Sequence, residues 1–398
     1  MSNALNLNNK GKHFLLSLET RGIKLGLRRT KEFFAVCGNP ENKLNSVQII
    51  GTNGKGSTAA TLCSILMAHG MRVGLYTSPH LVDLSERIRI NNTPIENDYI
   101  NHFTNLFHSD IQKLECTFFE TLTAMAAHYF QEKNVDVAIF ETGLGGQFDS
   151  VTACNARLQL FTKIAMDHSH ILGDNIIKIA QDKACAIHKN STCLSVKQET
   201  GVHDILNQKA KERCATMSFD LKKYHKQFDS PLIGEHQKEN TMLAITASNI
   251  IANVIEDHII HGIKRISWPG RIELIKKIPP IYFDVSHNDD SIIAFCNAME
   301  SLHHKSKKTL IISIQHTKQL RHSIRKLEKL FSKIVITQLN DRMYPPQDLS
   351  SMFTEHDNVE IINNPQNAIS HTMEKLKSNE ILGIIGSHYW GKYIYKNF

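Results

Sequence analysis

The sequence predicts an α/β protein in two unequal parts: a larger domain with a parallel-rich sheet around a phosphate-binding loop, then a smaller α/β domain. Three observations carry this. Short β-branched runs alternate with helical apolar spacing along most of the chain, the order that builds parallel sheets covered on both faces. A glycine-rich turn at 51–57 stands between one such run and one such helix. Pro269-Gly270 and Pro279-Pro280 break the pattern, and a second alternating series follows.

The elements follow in order. The run 46–50 reads as the first strand and 57–69 as a helix, because its apolar residues recur at helical spacing. Strands are expected at 72–76, 135–140 and 158–164, with helices at 118–130 and 174–188 between them. The second series has strands at 281–285, 309–314, 333–338, 359–362 and 381–385, separated by helices near 289–302, 318–332 and 365–378. The expected domains are therefore 1–268 and 281–398, joined by a linker at 269–280.

Composition narrows the class. With 398 residues, 41% hydrophobic and 21% charged, the chain has material for two cores. No apolar run approaches the roughly 20 residues of a membrane-spanning helix, and the polar stretch from Met1 to Lys12 lacks a secretory signal. Eight scattered cysteines without a Cys-x-x-Cys pair point to a reducing compartment. A cytoplasmic location is the expectation, with monomer as the default state. The net charge is +7, and 303–333 holds nine Lys or Arg against Glu328 alone. Leu320, Ile324, Leu327 and Phe331 fall at helical spacing within it, so the charges are expected on a helix's wet face rather than on a nucleic-acid footprint.

The segment Gly51, Thr52, Asn53, Gly54, Lys55, Gly56, Ser57, Thr58 has the chemistry of a nucleotide phosphate loop. Small residues let backbone N–H groups converge on phosphate oxygens, and the following helix adds its positive end. Lys55 would reach the β- and γ-phosphates, and the Ser57 hydroxyl would ligate Mg²⁺. Glu141 and His168 each end an apolar strand, where ligands of α/β sheets bind.

Together with Thr77-Ser-Pro-His-Leu81 and Glu86-Arg-Ile88, the loop resembles the folate branch of the Mur ligase superfamily, the dihydrofolate and folylpolyglutamate synthases. The resemblance runs over nearly the whole chain. It implies a P-loop-containing Mur-ligase-like domain followed by a Rossmann-like one, and an ATP-dependent ligase joining L-glutamate to the carboxylate of dihydropteroate or a reduced folate through an acyl phosphate. By resemblance, two Mg²⁺ ions would be held by Ser57, Ser78, Glu141, His168 and a carbamylated Lys183, with Lys55, His168 and Lys183 carrying the reaction. Asn240, Arg271, Asp284 and His287 would join the loop in contacting ATP. Thr77, Pro79, His80, Arg87, Phe119, Thr123 and Asp149 would face the pterin-bearing acid. Domain closure would then assemble the site.

The chain departs from the family in places. Gln147 stands where an Arg is usual, which removes a bidentate cation. Asp289 replaces a Pro after Asp284-Val-Ser-His-Asn288, and Gln315-His-Thr-Lys-Gln319 stands where Asp-Lys-Asp is expected. These departures leave open a Mur-type ligase with another acid substrate, and a nucleotide- and pterin-binding protein without turnover. A plain phosphoryl-transfer kinase would not need the second domain.

Overall fold

Every residue of β1 (Ser46–Ile50) is buried, as a β-branched run must be when helices cover both faces of its sheet. The structure, a computed structural model, describes residues 9–221, 229–355 and 357–398. The first eight residues of the polar N-terminal stretch lie outside them.

The other strands of the first sheet are β2 (Val73–Tyr76), β3 (Ile88–Ile90), β4 (Thr93–Pro94), β5 (Val137–Glu141), β6 (Leu158–Phe161), β7 (Thr192–Ser195) and β8 (Thr216–Ser218). Their order is β4-β3-β2-β5-β1-β6-β7-β8. From β2 to β8 every pair is parallel, and β3 and β4 close one edge as an antiparallel hairpin. The helix Lys55–Ala68 follows β1 and is buried along most of its length. The helix Phe118–Glu132 starts from a capping box, in which Thr117 accepts from the Glu120 amide and Glu120 answers at the Thr117 amide.

The second sheet holds β9 (Glu273–Lys277), β10 (Pro280–Asp284), β11 (Lys308–Ile312), β12 (Lys333–Ile336), β13 (Val359–Ile361) and β14 (Ile381–Ile385), ordered β13-β12-β11-β14-β10-β9. Only β9 runs antiparallel. Phe295, Leu310, Leu327, Phe331 and Ile385 are among its core.

By internal contacts the chain divides into two units. The first comprises Met1–Ile164, Asn175–Asp229 and Glu239–Ile266; the second comprises Ala165–Asp174, Ser230–Lys238 and Ser267–Phe398. No described helix is long and apolar enough to cross a membrane.

Three local expectations are corrected. β9 lies inside the stretch read as a linker, where the prolines mark the tight connection between paired strands rather than a break in structure. Strands β3, β4 and β8, of two or three residues, are too short to register as periodic runs, and β7 is not among the expected strands either. The basic helix runs only over Ser323–Leu330, because the Asp289 carboxylate accepts from the amides of Arg321, His322 and Ser323 and so marks its start. Lys318 thus lies outside the helix, and its side chain is 5% exposed rather than on a wet face.

Candidate active site

β1 sits between β5 and β6, at the centre of the parallel order, and the chain leaves its C-terminal end through the 51–54 turn. The amides of Thr52 and Asn53 donate to the Lys163 carbonyl at 2.9 and 3.2 Å, tying the turn to the chain after β6. Gly54 adopts a left-handed φ of 91° as N-cap of the helix Lys55–Ala68, a conformation glycine takes without penalty. A Cβ there would land on the Asn240 side-chain amide, and one on Gly51 would land on the Thr162 hydroxyl. The turn is therefore closely walled, with the positive end of a fourteen-residue helix behind it.

Two ammonium groups meet at this turn. Lys55 Nζ donates to the carbonyls of Gly51 and Thr52 at 3.2 and 3.1 Å, and Lys183 Nζ donates to the Gly51 carbonyl at 2.9 Å. Lys183, on the helix Ile176–Ala184, is 4% exposed. Two buried or half-buried cations on one neutral oxygen form a strong local field for an anion.

Glu141 ends β5, and its register partner in β1 is Ile49. The side chain is 4% exposed, and Oε2 accepts from the Ser78 amide at 3.0 Å. The Ser57 hydroxyl lies in the first turn of the helix after the loop and is buried. A buried carboxylate, the Ser57 hydroxyl at a helix start and the Ser78 hydroxyl just after β2 make up the hard oxygen donor set that suits Mg²⁺. Among the described residues no three His, Cys, Asp or Glu side chains converge as a metal site, so one carboxylate, hydroxyls and phosphate or water oxygens are what this unit offers.

The Thr77–Arg87 segment is organised from within. The Glu86 carboxylate accepts from the amides of Leu81, Val82 and Asp83 at 2.9, 3.0 and 2.7 Å, and Asp83 pairs with Lys12 at 2.7 Å. The Thr77 amide donates to the Arg87 carbonyl at 2.9 Å. Arg87 Nε donates to His80 Nδ1 at 2.9 Å, and its guanidinium lies over the Phe118 ring, 5.2 Å from the centroid. Burial, then the Arg87 charge, pull His80 down to about 4. Pro79 is exposed. Nearby, the Thr123 hydroxyl lies 2.6 Å from that of Ser150, and Asp149 accepts from the amides of Gly143, Leu144 and Val151 at 2.8–2.9 Å. Burial pushes Asp149 up to about 6, with those amides opposing. Phe119 covers Gly143, where a Cβ would strike its ring. Gln147 is exposed.

The remaining predicted residues belong to the second unit. The Asp284 carboxylate accepts from the amides of Ile272 and Ser286, both at 2.7 Å, so it anchors the start of β9 and the turn after β10. Arg271 donates to the Gly270 carbonyl. His287 Nδ1 lies 2.8 Å from the Val285 carbonyl, and its Nε2 lies 3.5 Å from Asp167. His168, at a left-handed φ of 51°, has Nε2 3.2 Å from Lys318 Nζ. No site role follows from the sequence for Lys318, Asp167 or Glu86, although Glu86 belongs to a family motif and Lys318 to the departing stretch 315–319.

A cleft of about 520 Å³ on the first unit is lined by Lys163, Lys197, Gln198, Glu199, Thr200 and Glu239. Lys163 is the residue whose carbonyl holds the phosphate-loop turn.

Comparison with known proteins gives a consistent picture. Residues 270–388 match the glutamate ligase domain of Mur ligases. The dihydrofolate synthase/folylpolyglutamate synthase of Bacillus subtilis is 32% identical over 93% of this chain and 94% of its own. The Mycobacterium tuberculosis folylpolyglutamate synthase complexed with ADP shares the fold, with a TM-score of 0.89 at 23% identity over 98% of both chains. Escherichia coli FolC, in complex with ADP and without folate substrate, matches with a TM-score of 0.86 at 25% identity, over 96% of this chain and 95% of that one.

Proposed function

Because this chain belongs to the dihydrofolate synthase/folylpolyglutamate synthase family, we propose that it joins L-glutamate to the carboxylate of 7,8-dihydropteroate, of a reduced folate, or of both, at the expense of ATP. The reaction is that of an ATP-dependent acid–amino-acid ligase. The substrate carboxylate attacks the γ-phosphorus and ADP leaves; the glutamate amine then attacks the acyl phosphate, losing a proton as phosphate departs. The observation that carries the reading is the Lys55 ammonium on the Gly51 and Thr52 carbonyls beside a helix N-terminus, where a triphosphate and a carboxylate would otherwise repel one another.

In this reading the phosphate loop, Gly51 to Thr58, cradles the triphosphate, with Asn240 packed against Gly54. Lys55 swings from the loop carbonyls to the β- and γ-phosphates. Ser57, Ser78 and Glu141 hold Mg²⁺, which would neutralise charge on the phosphates when bound. The cleft beside Lys163 receives the nucleoside. Arg271, Asp284 and His287 are assigned to the nucleotide by resemblance alone, and the Asp284 oxygens already serve two backbone amides. The pterin-bearing acid is read as lying against Thr77, Pro79, His80, Arg87, Phe119, Thr123 and Asp149. Carbamylation of Lys183 would turn one of two clustered cations into an anion, relieving their repulsion and adding oxygen donors. A two-domain organisation, the monomeric state and a cytoplasmic location belong to the same proposal.

ADP release with ATP, Mg²⁺ and L-glutamate, compared between 7,8-dihydropteroate and a tetrahydrofolate, tests it. Turnover of dihydropteroate alone makes the chain a dihydrofolate synthase; turnover of both makes it bifunctional. Silence with both, in protein that binds ATP, would overturn the ligase reading.

A further inference from the structure

The stretch 315–319 stands where the resemblance leads one to expect Asp-Lys-Asp, and the structure gives it a defined place. Gln315 forms a β-bridge with Met343. The Lys318 amide donates to the Gln315 carbonyl at 2.9 Å, and the Lys318 carbonyl accepts from the Tyr344 hydroxyl at 3.0 Å. Its side chain is almost wholly buried, and its ammonium lies 2.6 Å from Asp167 Oδ1 and 3.2 Å from His168 Nε2. Asn288 Nδ2 donates to the second Asp167 oxygen at 3.2 Å, and His287 Nε2 approaches it at 3.5 Å.

The chemistry of the contact is one-sided. An ammonium has three donors and no acceptor, so His168 Nε2 must be the acceptor and its proton sits on Nδ1. The lone pair with which this imidazole would bind a metal ion is the one that receives the lysine proton. An ion at coordinating distance from Nε2 would sit against a buried ammonium fixed at its backbone and head. Mg²⁺ also prefers oxygen to imidazole nitrogen. His168 therefore does not fit the metal-ligand role that the resemblance implies, whereas Glu141, Ser57 and Ser78 do fit such a role. The left-handed backbone of His168 is a strained conformation that the neighbouring contacts must hold, which makes an incidental approach to Lys318 a poor explanation.

We propose that Lys318 supplies at Asp167 and His168 the positive charge for which the resembling enzymes would use a second metal ion, so that this chain works with one divalent cation. The proposal rests on the ligase reading above and changes its ion count.

Mn²⁺ uptake by the full chain, in the presence of a non-hydrolysable ATP analogue and followed by the electron spin resonance of free Mn²⁺, tests it. The wild type should bind one ion, and His168→Ala should bind one as well. Lys318→Met keeps the buried stem and removes the charge, so it should admit a second ion through the released His168 and Asp167. Lys318→Arg, which keeps the charge, should not. Equal uptake by the wild type, Lys318→Met and Lys318→Arg would overturn the proposal. So would two ions in the wild type with one lost in His168→Ala. Failure of the underlying reading has a different signature: Glu141→Gln would keep its Mn²⁺, and both would fall together.

Discussion

Lys55 and Lys183 donate to the same oxygen, the Gly51 carbonyl, at 3.2 and 2.9 Å. One comes from the helix that follows the phosphate loop, and the other reaches in from 132 residues away in the chain. Their mutual repulsion is tolerated because a peptide carbonyl stands between them, and an anion would be attracted to the same point. The arrangement predicts different roles. Lys55 is half-buried on the helix's first turn and can leave the loop, whereas Lys183 is buried and fixed.

Lys183→Ala should therefore lower the ligation rate by about a thousandfold or more, since it removes either a cation facing developing negative charge or, once carbamylated, an oxygen donor to the metal ion. Nucleotide affinity should change by about tenfold at most, because the loop amides and Lys55 remain. Steady-state turnover beside nucleotide titration checks this, and unchanged turnover would dismiss the role. The variant also leaves the Gly51 carbonyl one donor short, costing about 1–2 kcal/mol of stability.

Gly54→Ala tests the loop through its backbone. The φ of 91° disfavours any Cβ, and this one would collide with Asn240. Either Asn240 or the turn must move, so nucleotide affinity should fall by about a hundredfold, close to 3 kcal/mol, while the melting temperature drops by only a few degrees. Calorimetric titration with ADP is the measurement; wild-type affinity would show that the turn is not where phosphate binds.

Much of this architecture is legible in the residues. The run 46–50, the glycine turn and the helix after it are local signals with one physical solution, and Glu141 announces a strand tip because an acid ends an otherwise apolar run. Lys318 is not legible in the same way. Four apolar residues at helical spacing place it on a helix face, yet periodicity cannot say where a helix starts. Here the start is set by Asp289, 34 residues before Ser323. The strand β9 is hidden for a related reason: prolines signal a break, but not whether the break is a linker or a tight strand connection. Asp167 gains its meaning only from side chains distant in sequence.

Glu86→Ala should act on the acid substrate and not on ATP. It removes the acceptor of three backbone amides at Leu81, Val82 and Asp83, and the segment that Glu86 gathers carries His80 and Arg87. The KM for dihydropteroate or folate should rise by about tenfold or more, with that for ATP within about twofold. Equal rises in both would show that the segment is general scaffolding.

Acid should destabilise the first unit through two half-buried histidines, His80 and His188. Burial and the Arg87 charge pull His80 down to about 4, and burial with the charges of Arg213 and Lys31 does the same to His188. The buried Nε2 of His188 has no hydrogen-bond partner among the described residues. An unfolded histidine titrates near 6.5, so between about 4 and 6.5 the unfolded chain binds more protons than the folded one. Stability therefore rises with pH across that window and is lost on acidification, by up to about 3 kcal/mol for each histidine. Asp149, pushed up to about 6 by burial, has the opposite sign between about 4 and 6, because its folded form holds the proton more tightly. The informative quantity is thus the difference between variants. His188→Gln should lose less stability than the wild type when pH falls from 7 to 4.5, as measured by urea unfolding at each pH. Parallel curves for the two proteins would mean that His188 is solvated and titrates normally.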